Sequence, residues 1–318
     1  MEILSYIASE LKQHKDAIQG AYYLMLAIFG GIGLYFLHRR NTALHKSSDA
    51  SVKQAEIAKI SQINDQYVKA VDQLVSDNIA INLGGIYGLE QIAQSYERFY
   101  TQVVELLTAY VREKAVQYDD TEFYRPAKDI QAILTVLGRC DNKDRVTFDL
   151  SGTYLSEYLI QGDFSNANFS KSDFTNADFS FADLSYANCA ESNFTNANCH
   201  ATNFTRANCR NANFTNSNCN HADFNRSKLT KTNFTSASGD RAIFDYANCD
   251  DANFTDAFLI DADFIGAYCE RTIFIRIDCT RANFTDARLM QTNFTDANDL
   301  YANFTNANKT KSIGIERV

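Results

Sequence analysis

From Cys209 to Phe234 the chain reads CRNANFTNSNCNHADFNRSKLTKTNF, with large apolar residues at Cys209, Phe214, Cys219, Phe224, Leu229 and Phe234. The step is always five residues. It matches neither the period of a helix nor that of a strand, so the stretch is part of a sequence repeat. Two residues before each centre stands a small side chain: Ala212, Ser217, Ala222, Ser227, Thr232. Two inward residues spaced two apart fit an extended segment. The remaining three positions are rich in Asn, Asp, Ser and Thr, which form local hydrogen bonds in turns. Followed outward, the register runs from Phe164 to Phe304. Of its 29 centres, 16 are Phe, 4 Leu and 7 Cys, leaving Gly239 and Asp299 as exceptions, and Ile277 is the one large residue at the small position. The pattern predicts a solenoid whose axis is filled by the centres.

These residues resemble the pentapeptide repeat family, whose pattern of Ala, Asp or Asn, Leu or Phe and two variable residues is seen in ADLSY from Ala182 and ANFTD from Ala252. The resemblance implies a right-handed quadrilateral β-helix with about twenty residues per coil. Centres twenty apart would then stack, with the Phe set (164, 174 and onward by tens, Leu184 excepted) on two facing walls and the Cys and Leu set between them. LGGIYGLEQIA from Leu83 and VELLTAYVRE from Val104 are similar to the helical block before the repeats in bacterial membrane-associated members.

Far upstream, Ile18 to Leu37 reads IQGAYYLMLAIFGGIGLYFL, without a charge. At 1.5 Å per residue it is long enough to span a bilayer core. Tyr22, Tyr23 and Tyr35 sit where interfacial aromatics are expected. A buried soluble helix is the alternative; a cleaved signal peptide would have a shorter apolar stretch and a small-residue cleavage site. Lys12 and Lys15 precede the segment, and Arg39, Arg40, Lys46 and Lys53 follow it. This bias predicts a single-pass inner-membrane protein with cytoplasmic C-terminal domains.

Between Val52 and Val75, Ile57, Ile60, Ile63, Tyr67, Val71 and Leu74 fall on one helical face. That face serves either homo-oligomer formation or packing within the chain. Asn78 to Ala93, Tyr100 to Val116 and Ile130 to Leu137 read as further helices, the last favoured by Pro126 near its start. The expected fold class is α+β multi-domain: an N-terminal segment (1–17), a transmembrane helix (18–37), a helical domain (41–140), a pentapeptide-repeat β-solenoid (150–308) and a C-terminal tail (309–318).

The 318-residue chain has a net charge of -9 and a pI near 5.1. Nucleic-acid binders need clustered Lys and Arg, so no nucleic-acid partner is expected. Seven of eight cysteines sit at centres, ten or more residues apart, and match no metal-ligand spacing. Each of eight Asn-Phe-Thr triplets is formally a glycosylation sequon, yet here the triplet is the repeat itself. No motif of an active site or cofactor site is present, so neither catalysis nor a cofactor or metal is expected.

What remains is a surface. Arg206, Arg210, Arg226, Lys228 and Lys231 precede an acidic band made of Asp240, Asp245, Asp250, Asp251, Asp256, Asp261 and Asp263, with Glu270 twenty residues after Asp250. Arg206, Arg226, Lys228, Lys231, Asp250, Asp251, Asp256, Asp261 and Glu270 form the candidate partner-binding surface, with an ordinary solvated surface as the alternative. The expected function is a non-enzymatic membrane-tethered scaffold docking an unidentified protein partner. The competing one is an inhibitor or protector of a nucleic-acid enzyme such as DNA gyrase by duplex mimicry. Residues 164–304 carry 17 acidic and 11 basic residues, sparse charge for such a mimic.

Overall fold

A computed structural model describes residues 2–116, 126–140 and 146–315. Met1 of the expected N-terminal segment and 316–318 of the expected tail lie outside the described residues. The chain divides into two compact units, Met1–Asp65 and Gln66–Val318.

The first helix, α1 (Glu2–Leu74), runs for 73 residues without a break, about 110 Å at 1.5 Å per residue. The sequence predicts an apolar helix and a separate amphipathic one; they are a single element because no Pro interrupts them. Its apolar window is the one among the described residues long and apolar enough to cross a membrane, by length and composition only.

Helix α2 (Ile79–Ser95) starts at Asn78, whose Oδ1 accepts the Ala80 N–H at 3.0 Å. Tyr96 alone separates it from α3 (Glu97–Lys114), and α4 (Lys128–Arg139) begins two residues after Pro126. Ile86, Leu89, Val103, Leu107, Ile133 and Leu137 close the core between these helices, each 1% exposed or less. Burying such a side chain stabilises by roughly 1.5–3 kcal/mol. The end of α1 is used within the chain: a Cβ on Gly85 would lie 2.6 Å from Ala70 O and Leu74 N, and Tyr67 meets the Phe99 ring at 5.6 Å. This packing occupies part of the stripe that the sequence offered for self-association.

The helices also close one end of the repeats. Asp163 N–H donates to Gly138 O at 2.9 Å, and Tyr154 N–H to Ala115 O at 2.7 Å. The Gln131 side chain donates to Leu159 O at 2.8 Å and accepts from Leu159 N–H at 3.1 Å. Backbone groups that would otherwise form an open edge are thereby paired.

The repeat region corrects the expected fold class. No described residue lies in a β-strand, no β-sheet forms, and the regular secondary structure is helical, so the α+β class with a β-solenoid is not found. The reason is local. One residue in five, from Asn166 to Lys311, has positive φ, which ends each extended stretch before it reaches strand length. Turns linked by single-residue parallel bridges stand where strands were expected, as in Asn193 to Asn213, Asn213 to Asn233 and Asn233 to Asn253.

The turn around Phe214 is fully hydrogen-bonded despite lacking a strand. Phe214 N–H donates to Asn233 O (2.7 Å), Asn216 N–H to Thr235 O (3.0 Å), Asn213 N–H to Ser192 O (2.9 Å) and Ser217 N–H to Phe214 O (3.1 Å). The fifth, Thr215 N–H, donates to Asn213 Oδ1 at 3.2 Å. No amide of the unit is left unpaired, as burial of backbone requires. Asn recurs at the bridge position because its Oδ1 also accepts Nδ2 of the next Asn, 3.2 Å for Asn233 to Asn213. Inside, Phe194 and Phe214 stack at 4.5 Å, Phe214 and Phe234 at 4.9 Å, and rings ten residues apart meet edge to face at 5.7 Å, the geometries that ring quadrupoles favour. All eight cysteines are buried and free.

Candidate functional site

Positive-φ residues mark the corners between successive sides of the stack. Arg226 (φ 56°) and Lys231 (φ 59°) bound one side, on which Ser227 and Leu229 point inward and Lys228 outward. On the preceding turn the same side runs from Arg206 to Asn211 and carries Arg210. The bridge between Asn208 and Lys228 holds the two turns in register. Arg206, Arg210, Arg226, Lys228 and Lys231 therefore share one side, all exposed, with no Asp or Glu on those two stretches. None of them forms a salt bridge among the described residues.

The two corner arginines lean in opposite directions along the stack. The Arg206 guanidinium lies over the Tyr186 ring at 5.5 Å, one turn back, and that of Arg226 over the Tyr246 ring at 5.6 Å, one turn on. Like charges one turn apart at the same corner repel, and each guanidinium lies against an aromatic face. Tyr246 rests on Gly266, where a Cβ would come within 2.7 Å of its Cε1. The tyrosines were missed in the sequence; the readable signal is their offset of twenty from an arginine.

The acidic candidates lie further along. Asp251 takes both Nε (2.7 Å) and Nη2 (3.0 Å) of Arg271, which also holds Glu270 at 2.7 Å. Asp256 is paired with Arg276 at 2.6 and 2.7 Å, and Asp261 with Arg281 at 2.7 Å through both contacts. These arginine hydrogen bonds hold the carboxyls of Asp251, Asp256 and Asp261 below the usual carboxylate range. Asp250 Oδ1 accepts the Glu270 N–H at 2.8 Å. On another side, burial, then the charges of Asp263 and Asp223, push the Asp245 carboxyl up. Burial raises the Cys199 and Cys249 thiols, and Cys279 to about 12; for Cys209 the Cys189 thiol contributes most. Among the described residues no group of three or more His, Cys, Asp or Glu is placed to hold a metal.

Five-residue turns stacked at intervals of twenty, with side chains in columns along each side, define a repeat-stack protein. Its repeat region belongs to the pentapeptide-repeat family: residues 163–308 match eight overlapping copies of the family model described as Pentapeptide repeats. No curated protein matches the chain. Among solved structures it is similar to HetL, a pentapeptide repeat protein involved in heterocyst differentiation regulation from the cyanobacterium Nostoc sp. strain PCC 7120 (22% identity, 50% of this chain and 81% of that one, TM-score 0.26). It is also similar to a trypsin-treated form of QnrB1, a plasmid-mediated fluoroquinolone resistance protein (21%, 48% and 76%, TM-score 0.25). A third is AT2G44920, a pentapeptide repeat protein from the Arabidopsis thaliana thylakoid lumen (21%, 44% and 64%, TM-score 0.14).

Several expectations are corrected. The single-pass inner-membrane placement is corrected: the apolar window is part of a 73-residue helix and qualifies by length and composition only. With it goes the membrane-tethered scaffold, whose β-solenoid docking surface is not formed. The duplex-mimic alternative also falls, because one side of the stack is basic where a mimic would be acidic. The exclusion of a nucleic-acid partner is withdrawn too. It rested on whole-chain charge, which says nothing of the local sign of one side.

Proposed function

We propose that the chain is a non-catalytic binding protein that takes an anionic partner on the basic side of its repeat stack. The observation that carries this is the set Arg206, Arg210, Arg226, Lys228 and Lys231: five exposed cations on two adjacent turns with no carboxylate among them. Surfaces ordinarily intersperse charges of both signs, so an unneutralised cluster held on a rigid scaffold is suited to attracting and orienting an anion. Asp250 and Asp251 border the site on the next turn and Glu270 lies one turn beyond, with Arg271 pairing Asp251 and Glu270; Asp256 and Asp261 stand at other corners, paired with Arg276 and Arg281. In this reading 41–140 is a helical module, 150–308 the repeat module and 309–318 its tail. Membership in a family that is generally non-catalytic supports the absence of a reaction.

The test is elution of the full chain from an immobilised heparin matrix by a salt gradient. R206E/R226E/K228E is expected to elute at much lower salt than the parent, and N196E/N216E, on a different side, to elute closer to it. Elution of all three at one salt concentration rejects the reading.

A further inference from the structure

Building on the basic side as the anion site, we infer that the partner is single-stranded nucleic acid, with phosphate between Arg206 and Arg226 and bases on Tyr186 and Tyr246. The order along this corner column is Tyr186, Arg206, Arg226, Tyr246, each one turn from the next. Two cations are thus bracketed by two aromatic rings over three turn spacings, about 14 Å. The rings are 54% and 51% exposed.

An acidic protein segment would need the charges and have no use for the rings. Nucleic-acid strands use both: phosphates follow the cations, and bases stack on aromatic faces regardless of sequence. In a duplex the bases are already stacked on each other and would have to be extruded to reach a tyrosine, which favours the single strand. The free protein is poised for this exchange. Repulsion turns each guanidinium onto a ring; a phosphate between them would accept charge-assisted hydrogen bonds from both, removing the repulsion and releasing the ring faces. Arg210, Lys228 and Lys231 extend the positive field across the side, and Asp250 and Asp251 close it on the next turn.

The experiment measures fluorescence anisotropy of labelled oligothymidylate with the full chain across a salt series, with a labelled poly-glutamate peptide as comparator. Parent protein is expected to bind the oligonucleotide with log K falling against log salt by roughly 0.7 per neutralised phosphate. R206E/R226E should lose binding at least tenfold and flatten that slope. Y186A/Y246A should weaken binding about tenfold or more with the slope unchanged, because stacking is not a counterion effect. Y186F/Y246F, which keeps the rings, should bind like the parent and guards against mistaking misfolding for lost contacts. Parent-like binding by Y186A/Y246A, or poly-glutamate bound as tightly as oligothymidylate, overturns the nucleic-acid assignment and leaves the anion site standing. Binding of neither probe, or binding of both unaffected by R206E/R226E, overturns the anion site as well.

Discussion

The Cβ that Gly239 lacks would fall 2.7 Å from Cδ2 of Leu259, one turn along, so the Leu259 side chain fills the space that another centre would occupy. Adjacent centres in this column, one with no side chain and one large, share a volume, which keeps the narrow core at native density. Gly239→Ala is expected to destabilise by about 1–3 kcal/mol through overpacking. Leu259→Ala should lose about 2–5 kcal/mol through a cavity. The double variant should lose less than the two losses combined, since the sites are in contact. Chemical denaturation of the four proteins measures this, and additive losses would show that the two positions do not share space.

Phe214 lies between Phe194 and Phe234 in a stacked column. Phe214→Ala should cost about 3–5 kcal/mol. Its neighbour Thr215 is half-buried, donates to Asn213 Oδ1 at 2.6 Å and accepts from Asn233 Nδ2 at 2.9 Å. Thr215→Ala should therefore cost about 0.5–1.5 kcal/mol. Equal melting temperatures for the two variants would contradict the inward register.

The arginine pairs give stability a dependence on pH. A carboxyl whose folded pKa lies below its unfolded value contributes stability that is present above the unfolded value and lost as pH falls through the folded one. Asp251, Asp256 and Asp261 are all lowered, chiefly by Arg271, Arg276 and Arg281. The triple Asp→Asn variant should melt below the parent at pH 7, with the gap closing as pH drops below about 4 and narrowing as salt rises. A gap independent of pH would assign the effect to packing.

Asp245 has the opposite sign. Its pKa is raised, first by burial and then by Asp263 and Asp223, so its charged form opposes folding once pH exceeds the unfolded value. Asp245→Asn, which keeps an oxygen for the Ile265 N–H, should raise the melting temperature at pH 7 and leave it unchanged below about pH 4. Thermal melts at the two pH values decide it.

Much of the repeat was readable because Phe214, Ala212 and their equivalents mark core and corner with side chains of different size. The failure to form strands was not readable in the same way. Asn216, Arg226 and Lys231 look like ordinary polar residues, and only backbone geometry reveals that each adopts positive φ. The charge bands were visible as composition, yet their pairing was not. Asp261 takes Arg281 as its main partner, with Arg241 contributing a weaker field, because side-chain direction chooses between equidistant neighbours one turn either way. Tyr186 and Tyr246 were silent for a related reason: isolated tyrosines acquire meaning only when columns are read at intervals of twenty.

Stacking at intervals of twenty also sets the units in which such a chain tolerates editing. A deletion of twenty residues beyond Arg226 would shorten the stack and keep every column in phase. Removing ten between Arg206 and Arg226 would keep Phe centres over Phe centres but turn everything downstream onto the opposite side. Arg226 would leave the side of Arg206, and Tyr246 would move with it. The core and the surface are thus written in the same residues with different word lengths, and insertions or deletions can re-address a binding face while leaving the packing intact.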